Sequence, residues 1–210
     1  MNLINELSKQ NIELAYYSSA FPLDQSLLET AKCAIILVDK KTTFKKFIDQ
    51  NTPFCDSVSK YQDVYPEQKL LDLSIESGVF SRFKVDGKIG MIKFKELYKT
   101  WMINSVNKKI AKEVLVYKTK GIIRGFVTLG EKNLRADIGT IAVEGNSRGK
   151  GIGKSLMLSA ENWFLNNTAY REIQVVTQGD NTPACMLYEK CGYTIDNVEY
   201  FYHVWKKDNT

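Results

Sequence analysis

The sequence predicts an α/β fold, a mixed central sheet with flanking helices, on three observations. Three β-rich runs, Glu113 to Tyr117, Ile122 to Leu129 and Ala136 to Val143, follow one another across the turn-like segments Lys118 to Gly121 and Gly130 to Asn133, the pattern of an antiparallel meander. Lys150 to Asn167 then carries Ile152, Leu156, Leu158 and Trp163 at amphipathic-helix spacing, and the apolar run Ile173 to Val176 follows. Strand, helix and strand in that order make a βαβ-like crossover. Ahead of the meander, Glu67 to Phe80 and Lys93 to Lys112 read as helices, the second with Phe94, Leu97, Tyr98, Trp101, Met102 and Ser105 on one face.

The remaining elements complete the order. Ile12 to Tyr17 alternates weakly, Asp24 stands where it can cap a helix to Ala31, and Ala34 to Val38 reads as a buried strand running into the polar Asp39-Lys40-Lys41. These short signals predict a small α/β half-domain over 1–60, with the main domain over 61–210. At the other end, Thr182 to Lys190 is a short helix closed by Cys191-Gly192, and Tyr193 to Trp205 is an aromatic-rich strand or hairpin. No repeat, low-complexity run or Gly/Ser linker interrupts the chain.

Composition narrows the partners. The 210 residues are 44% hydrophobic and 25% charged, ordinary for a globular protein, so disorder and fibre are excluded. The longest unbroken apolar stretch, Cys33 to Val38, is far short of the ~20 residues of a spanning helix. Glu6, Lys9 and Glu13 stand where a signal peptide would be apolar, so a cytoplasmic protein without membrane attachment is expected. Four cysteines without CxxC spacing and a single histidine offer no zinc ligand set and read as reduced thiols. The net charge of +5 suits an anionic small molecule as well as nucleic acid. Nucleic acid is not expected, because the basic residues are dispersed among acidic ones without an RNP-like or helix-turn-helix signature.

The most informative segment is Arg148-Gly149-Lys150-Gly151-Ile152-Gly153, between the strand ending at Val143 and the helix beginning near Lys150. Backbone N–H groups at a helix start lack intrahelical partners and the macrodipole is positive there, so an oxyanion is stabilised. Glycines let it approach the backbone, and Arg148, Lys150 and Lys154 add charge suited to phosphate. The spacing matches neither a dinucleotide fingerprint nor a P-loop. A plain strand-to-helix turn with solvated basic residues would look similar.

Together with Ile141-Ala142-Val143, this loop resembles the acyl-CoA motif of the GNAT N-acyltransferase superfamily, Arg/Gln-x-x-Gly-x-Gly/Ala. A later block, Val176, Asn181, Ala184 and Leu187-Tyr188-Glu189-Lys190-Cys191-Gly192-Tyr193, resembles that superfamily's second motif, and the resemblance covers about Glu113 to Tyr193. It implies the GNAT fold, with acyl-CoA in a V-shaped gap between the strands at Asp137 to Val143 and Ile173 to Val176. It also implies that Ile141, Ala142 and Val143 hold the pantetheine arm and that residues from Arg148 through Ile152 to Gly153 and Lys154 hold the pyrophosphate. Asn181 and Ala184 would form the other wall, with Tyr188 near the sulfur as the general acid. No metal is implied.

The base stays open: Asp137, at the position where some members carry a glutamate; His203, with a reference pKa of ~6.5; or water alone. For the acceptor, Ser81-Arg82-Phe83, Asp86, Leu97-Tyr98-Lys99-Thr100-Trp101, Val175-Val176-Thr177-Gln178 and Tyr202-His203-Val204-Trp205 resemble a branch acylating nucleotide-linked amino sugars, the dTDP-fucosamine acetyltransferases and related dTDP-amino-dideoxyhexose N-acyltransferases. That implies acetyl-CoA or 3-hydroxybutyryl-CoA as donor, with Arg82, Tyr98, Trp101 and His203 meeting the nucleotide sugar. Phe83, Tyr98 and Trp101 filling a core is the plain alternative. A protein or peptide N-acyltransferase and a non-catalytic acyl-CoA sensor are the competing functions, and polycationic aminoglycosides suit a +5 chain poorly. Pairing of the final strands between protomers would give a homodimer.

Overall fold

The computed structural model describes residues 12–30, 33–51 and 55–206. Glu6, Lys9 and Ala31 lie outside them. In chain order the elements are β1 (Leu14–Ser19), α1 (Gln25–Thr30), β2 (Cys33–Phe47), β3 (Val58–Lys60), α2 (Gln68–Ser77), α3 (Arg82–Val85), α4 (Met91–Val106), β4 (Glu113–Thr119), β5 (Ile122–Lys132), β6 (Arg135–Val143), α5 (Ile152–Asn167), β7 (Glu172–Gln178), α6 (Thr182–Lys190) and β8 (Thr194–Lys206). The strands form one eight-stranded sheet in the order β1-β8-β2-β7-β6-β5-β4-β3. The meander β4-β5-β6 is antiparallel, and β6 and β7, joined across α5, are parallel.

Both faces of the sheet are covered. On one, Leu156, Met157, Ala160 and Phe164 of α5 pack on Phe44, Leu115, Val127 and Val175. On the other, Leu70 and Leu73 of α2 and Met102 and Val106 of α4 pack on Val114, Val116, Ile123 and Phe126. Burial on two sides explains why β4 is apolar at successive positions instead of alternating.

Several elements depart from the expectations, among them these. The strand starting near Ala34 continues to Phe47, because Asp39, Thr42, Thr43 and Phe44 turn inward and Lys41 is neutralised by Glu199 at 2.6 Å. The helix expected to reach Lys112 ends at Val106, since Lys108 takes a left-handed φ of 58° and the Lys112 N–H already joins the Leu129 carbonyl at 2.6 Å. The single turn α3 carries no apolar periodicity and left no sequence signal.

Within 1–60, expected as a half-domain, the described strands all belong to the one sheet. β1 and β3 are its two edges and β2 lies between β7 and β8. Over residues 200–205 both edges of β8 are taken, by β1 and β2. That closes this stretch of the final strand to pairing with another protomer.

Candidate active site

The site begins with a fault in the sheet. Two residues of β6, Gly139 and Thr140, stand opposite Thr128 alone, because the register steps from Val127↔Ile141 to Leu129↔Ile138. Thr128 Oγ1 accepts from the Thr140 N–H at 2.8 Å and fixes this bulge, and a bulge bends its strand. β6 therefore pairs with β7 only at Ala136↔Ile173, Asp137↔Gln174 and Ile138↔Val175. Beyond, the strands part, and no described strand pairs with β6 on that side.

Two connected cavities fill the gap. The larger, of about 570 Å³, is lined by Ile141, Ala142 and Val143 of β6, by Arg148, Gly149, Gly151, Ile152, Gly153 and Lys154, and by Asn181 and Ala184. The end of α2, from Glu76 to Phe80, closes it on a side that the sequence did not indicate. The smaller, of about 290 Å³, is lined by Asp137, Tyr188, Arg82, Tyr98 and Trp101, and also by Asp39, Lys41, Lys132 and Gln178. Ser77, Ile141, Asn181 and Ala184 border both, so the two chambers are one V-shaped cleft.

Local sequence shapes the larger chamber. Gly149 and Gly151 have φ of 75° and 80°, and nothing lies within 4 Å of the Cβ that a side chain would add. Such open, left-handed backbone at a helix start exposes its N–H groups, and an anion fits there. Glu144, just after β6, is held to about 2 by Lys69, Arg124 and Ser147. It ties the loop to α2 and β5. Arg148 donates to Glu76 Oε1 at 2.5 Å and to the Val143 carbonyl at 3.1 Å. Lys150 borders neither chamber and donates to the Asn146 carbonyl at 3.0 Å. Asn181 is the N-cap of α6 and accepts from the Ala184 N–H at 3.3 Å.

The smaller chamber sets aromatic rings beside charges of both signs, Asp39 and Asp137 with Lys41, Arg82 and Lys132. Tyr188 is 3% exposed, against Phe44 at 5.5 Å and Tyr193 at 6.4 Å. Burial, with Cys185 and Cys191 adding to it, pushes its phenol far above the ordinary value. Asp137 Oδ1 accepts from Gln174 Nε2 at 2.8 Å. Burial raises its carboxyl, while Gln174 and Lys132 pull back. Tyr98, 7% exposed, and Trp101 meet edge to face at 5.0 Å. Tyr98 is buried and Trp101 half-buried, and both line the chamber. The Arg82 guanidinium sits over Phe83 at 4.7 Å, Phe201 at 5.1 Å and Tyr16 at 5.6 Å.

His203 is not brought to the cleft. It is fully buried and its Nδ1 donates to Asp86 Oδ2 at 2.5 Å, to which Trp205 Nε1 also donates at 2.8 Å. Of the roles left open for this histidine, packed, substrate-contacting or catalytic, the structure shows packing: alternation along β8 puts it on the face of Trp205, and that face is turned onto Asp86. Asp39 is the functional candidate that sequence reading missed. Its only signal was an acid ending an apolar run.

Comparison with known proteins identifies the family and the fold. The acetyltransferase (GNAT) family model matches residues 89–193. Among curated proteins the chain is 41% identical over 66 residues to the streptothricin acetyltransferase of Escherichia coli, covering 31% of this chain and 37% of that protein. It is 25% identical over 138 residues to the spore coat polysaccharide biosynthesis protein SpsD of Bacillus subtilis, covering 66% and 47%. With the dTDP-fucosamine acetyltransferase of an E. coli strain it shares 32% over 106 residues, covering 50% and 44%. The chain thus spans less than half the length of each of these relatives. Among solved structures, a functionally unknown conserved protein from Staphylococcus epidermidis superposes with a TM-score of 0.65 at 14% identity, over 97% of this chain and 77% of that one. The tandem GNAT protein from the clavulanic acid biosynthesis pathway gives 0.60 at 11%, over 99% and 68%. At those identities the likeness is one of fold.

Proposed function

This chain belongs to the acetyltransferase (GNAT) family, and from that premise we propose that it is an N-acyltransferase acting on a nucleotide-linked amino sugar. It moves an acetyl or 3-hydroxybutyryl group from acyl-CoA to the amine of a dTDP-3-amino- or dTDP-4-amino-dideoxyhexose, by direct attack in a ternary complex. One observation carries the reading. The gap opened by the β6 bulge joins a glycine-lined, basic chamber to an aromatic chamber containing arginine and carboxylates, with Tyr188 in the wall of the second.

Each residue's role follows from its surroundings. The N–H groups around Gly149 and Gly151, with Arg148 and Lys154, hold the pyrophosphate, and the unpaired edge of β6 beyond Ile138 takes the pantetheine amides as a strand would. The same edge offers an N–H to the oxyanion of the tetrahedral intermediate. Tyr188, kept neutral by burial, donates its proton to the departing thiolate. The amine has two carboxylates to lose its proton to, Asp137 from β6 and Asp39 from β2. Arg82 with Tyr98 and Trp101 meets the diphosphate and base of the acceptor. Cys55, Cys185 and Cys191 are free thiols, which the cytoplasm maintains, and no helix among the described residues is long and apolar enough to cross a membrane.

A second reading rests on the streptothricin acetyltransferase match, and both are tested together. Thiol release from acetyl-CoA and 3-hydroxybutyryl-CoA is followed with the two dTDP-amino sugars, streptothricin and a mixed peptide panel. Turnover with a sugar nucleotide supports the proposal. Turnover confined to streptothricin or to peptides retires the sugar and keeps the acyltransferase, and thiol-free acetyl-CoA binding leaves a sensor.

A further inference from the structure

Asp39 lies where β2 bulges against β8, the register stepping from Leu37↔Tyr202 to Asp39↔Phe201 with Val38 as the extra residue. A bulge re-aims side chains, and Asp39 borders the smaller chamber. It is 8% exposed, and its Oδ1 has no hydrogen-bond partner among the described residues. In the same chamber the Nε of Arg82 is likewise buried without a partner. Buried polar atoms are rarely left unpaired, so two of opposite charge on residues that line one cavity point to a ligand that satisfies both. Each carboxylate of the chamber has one amide partner, Gln178 for Asp39 and Gln174 at 2.8 Å for Asp137, and Asp39 keeps its Oδ1 unpaired.

We propose that Asp39 binds the ammonium group of the acceptor and takes its proton, while Arg82 beside it donates to the acceptor's anionic part. This rests on the acyltransferase reading and deepens it: the acceptor is a molecule with an ammonium and an anion close together. In the step, R–NH3+ gives one proton to the Asp39 carboxylate, and the free amine attacks the thioester carbon. The new C–N bond forms as the C=O pair moves to oxygen, and collapse breaks C–S. Tyr188 protonates the thiolate and recovers a proton from the nitrogen through solvent. Asp39 returns its proton to water, so R–NH3+ and acyl-CoA become the amide, CoA thiol and one released proton.

The charged groups around Asp39 set its titration. Arg82 faces it from α3, Tyr98 from α4, and Lys132 and Asp137 lie across the chamber on β5 and β6. On its own strand Lys41 is paired with Glu199 of β8 at 2.6 Å, and after β7 Asp180 lies 3.8 Å from Lys40. Burial, with Asp180 adding to it, raises Asp39 to about 6 against the pull of Arg82, Lys41 and a hydrogen bond from Gln178.

The test compares the intact chain with Asp39→Asn, Asp137→Asn and Asp39→Glu, measuring acetyl-CoA affinity by calorimetry and kcat/KM for the acceptor against pH. In the unaltered protein kcat/KM falls about tenfold per pH unit below about 6. Asp39→Asn is expected to lower kcat/KM by ~10² or more at pH 8 and to abolish that limb with acetyl-CoA affinity unchanged, whereas Asp137→Asn keeps the limb. A limb that persists in Asp39→Asn, or that disappears only in Asp137→Asn, overturns the proposal. Should Asp39→Asn lose acetyl-CoA binding, a limb moved by Asp39→Glu supports the assignment and an unmoved one overturns it. Transfer to no amine by the unaltered protein, with acetyl-CoA still bound, overturns the acyltransferase reading itself and this assignment with it.

Discussion

Tyr188 and Asp39 face the same chamber, and burial pushes both pKa values upward with opposite uses. A buried phenol stays protonated and serves as a donor, so Tyr188→Phe is expected to lower kcat by ~10² with little change in acetyl-CoA affinity, read from single-turnover thiol release. A buried carboxyl near 6 switches within the working range, and that has a cost in stability. Unfolded, Asp39 titrates near the ordinary ~3.9; folded, at about 6. Between those values the folded chain binds more protons than the unfolded one, so the contribution of Asp39 to stability falls as pH rises through the window. Asp39→Asn should therefore be more stable than the unaltered chain at pH 8, by roughly 1–2 kcal/mol, with the difference shrinking toward pH 4. Urea unfolding at the two pH values measures it, and an equal or lower stability of the variant at pH 8 contradicts the assigned burial cost.

At the scale of elements, the single turn α3 positions Arg82. The residue after it, Asp86, accepts from His203 and Trp205 of β8, and its Oδ1 accepts from the Lys88 N–H at 3.0 Å. Burial would raise this carboxyl, but the three donors outweigh it and hold it below the ordinary value. The contacts of Asp86 with His203 and Trp205 thus fasten the end of α3 to β8, beside the element that carries Arg82 to the chamber. Asp86→Asn is expected to cost about 1–3 kcal/mol of stability and to raise KM for the acceptor, leaving acetyl-CoA affinity alone. Equal losses in both affinities would mean that α3 supports the whole cleft and not its acceptor half.

The same element shows what a sequence can carry. The glycine loop, the meander and α6 were legible because their signals are local: glycines between Arg148 and Gly153, β-rich runs parted by turn residues, and Cys191-Gly192 closing α6. Asp39 and the Asp86–His203–Trp205 contact were not, because their partners lie 43 to 119 positions away and only the folded sheet brings them together.

The whole molecule depends on β2, which lies between β7 and β8 and bears both Phe44, 1% exposed beneath Tyr188, and Asp39. A strand in the interior of a sheet cannot detach without opening it, so residues 33–47 are expected to unfold with the rest in one cooperative transition. Phe44→Ala should lower stability by about 3–5 kcal/mol with coincident loss of near- and far-ultraviolet dichroism. Two separated transitions would show an independent N-terminal unit.

The most direct test of a ternary-complex cleft is a crystal structure with CoA and an amino-sugar nucleotide bound together. The account predicts the pyrophosphate against the backbone N–H groups around Gly149 and Gly151, the thiol within reach of the Tyr188 phenol, and the sugar amine on Asp39 Oδ1. A pyrophosphate bound away from that loop, or an acceptor outside the chamber of Asp39 and Arg82, would contradict it.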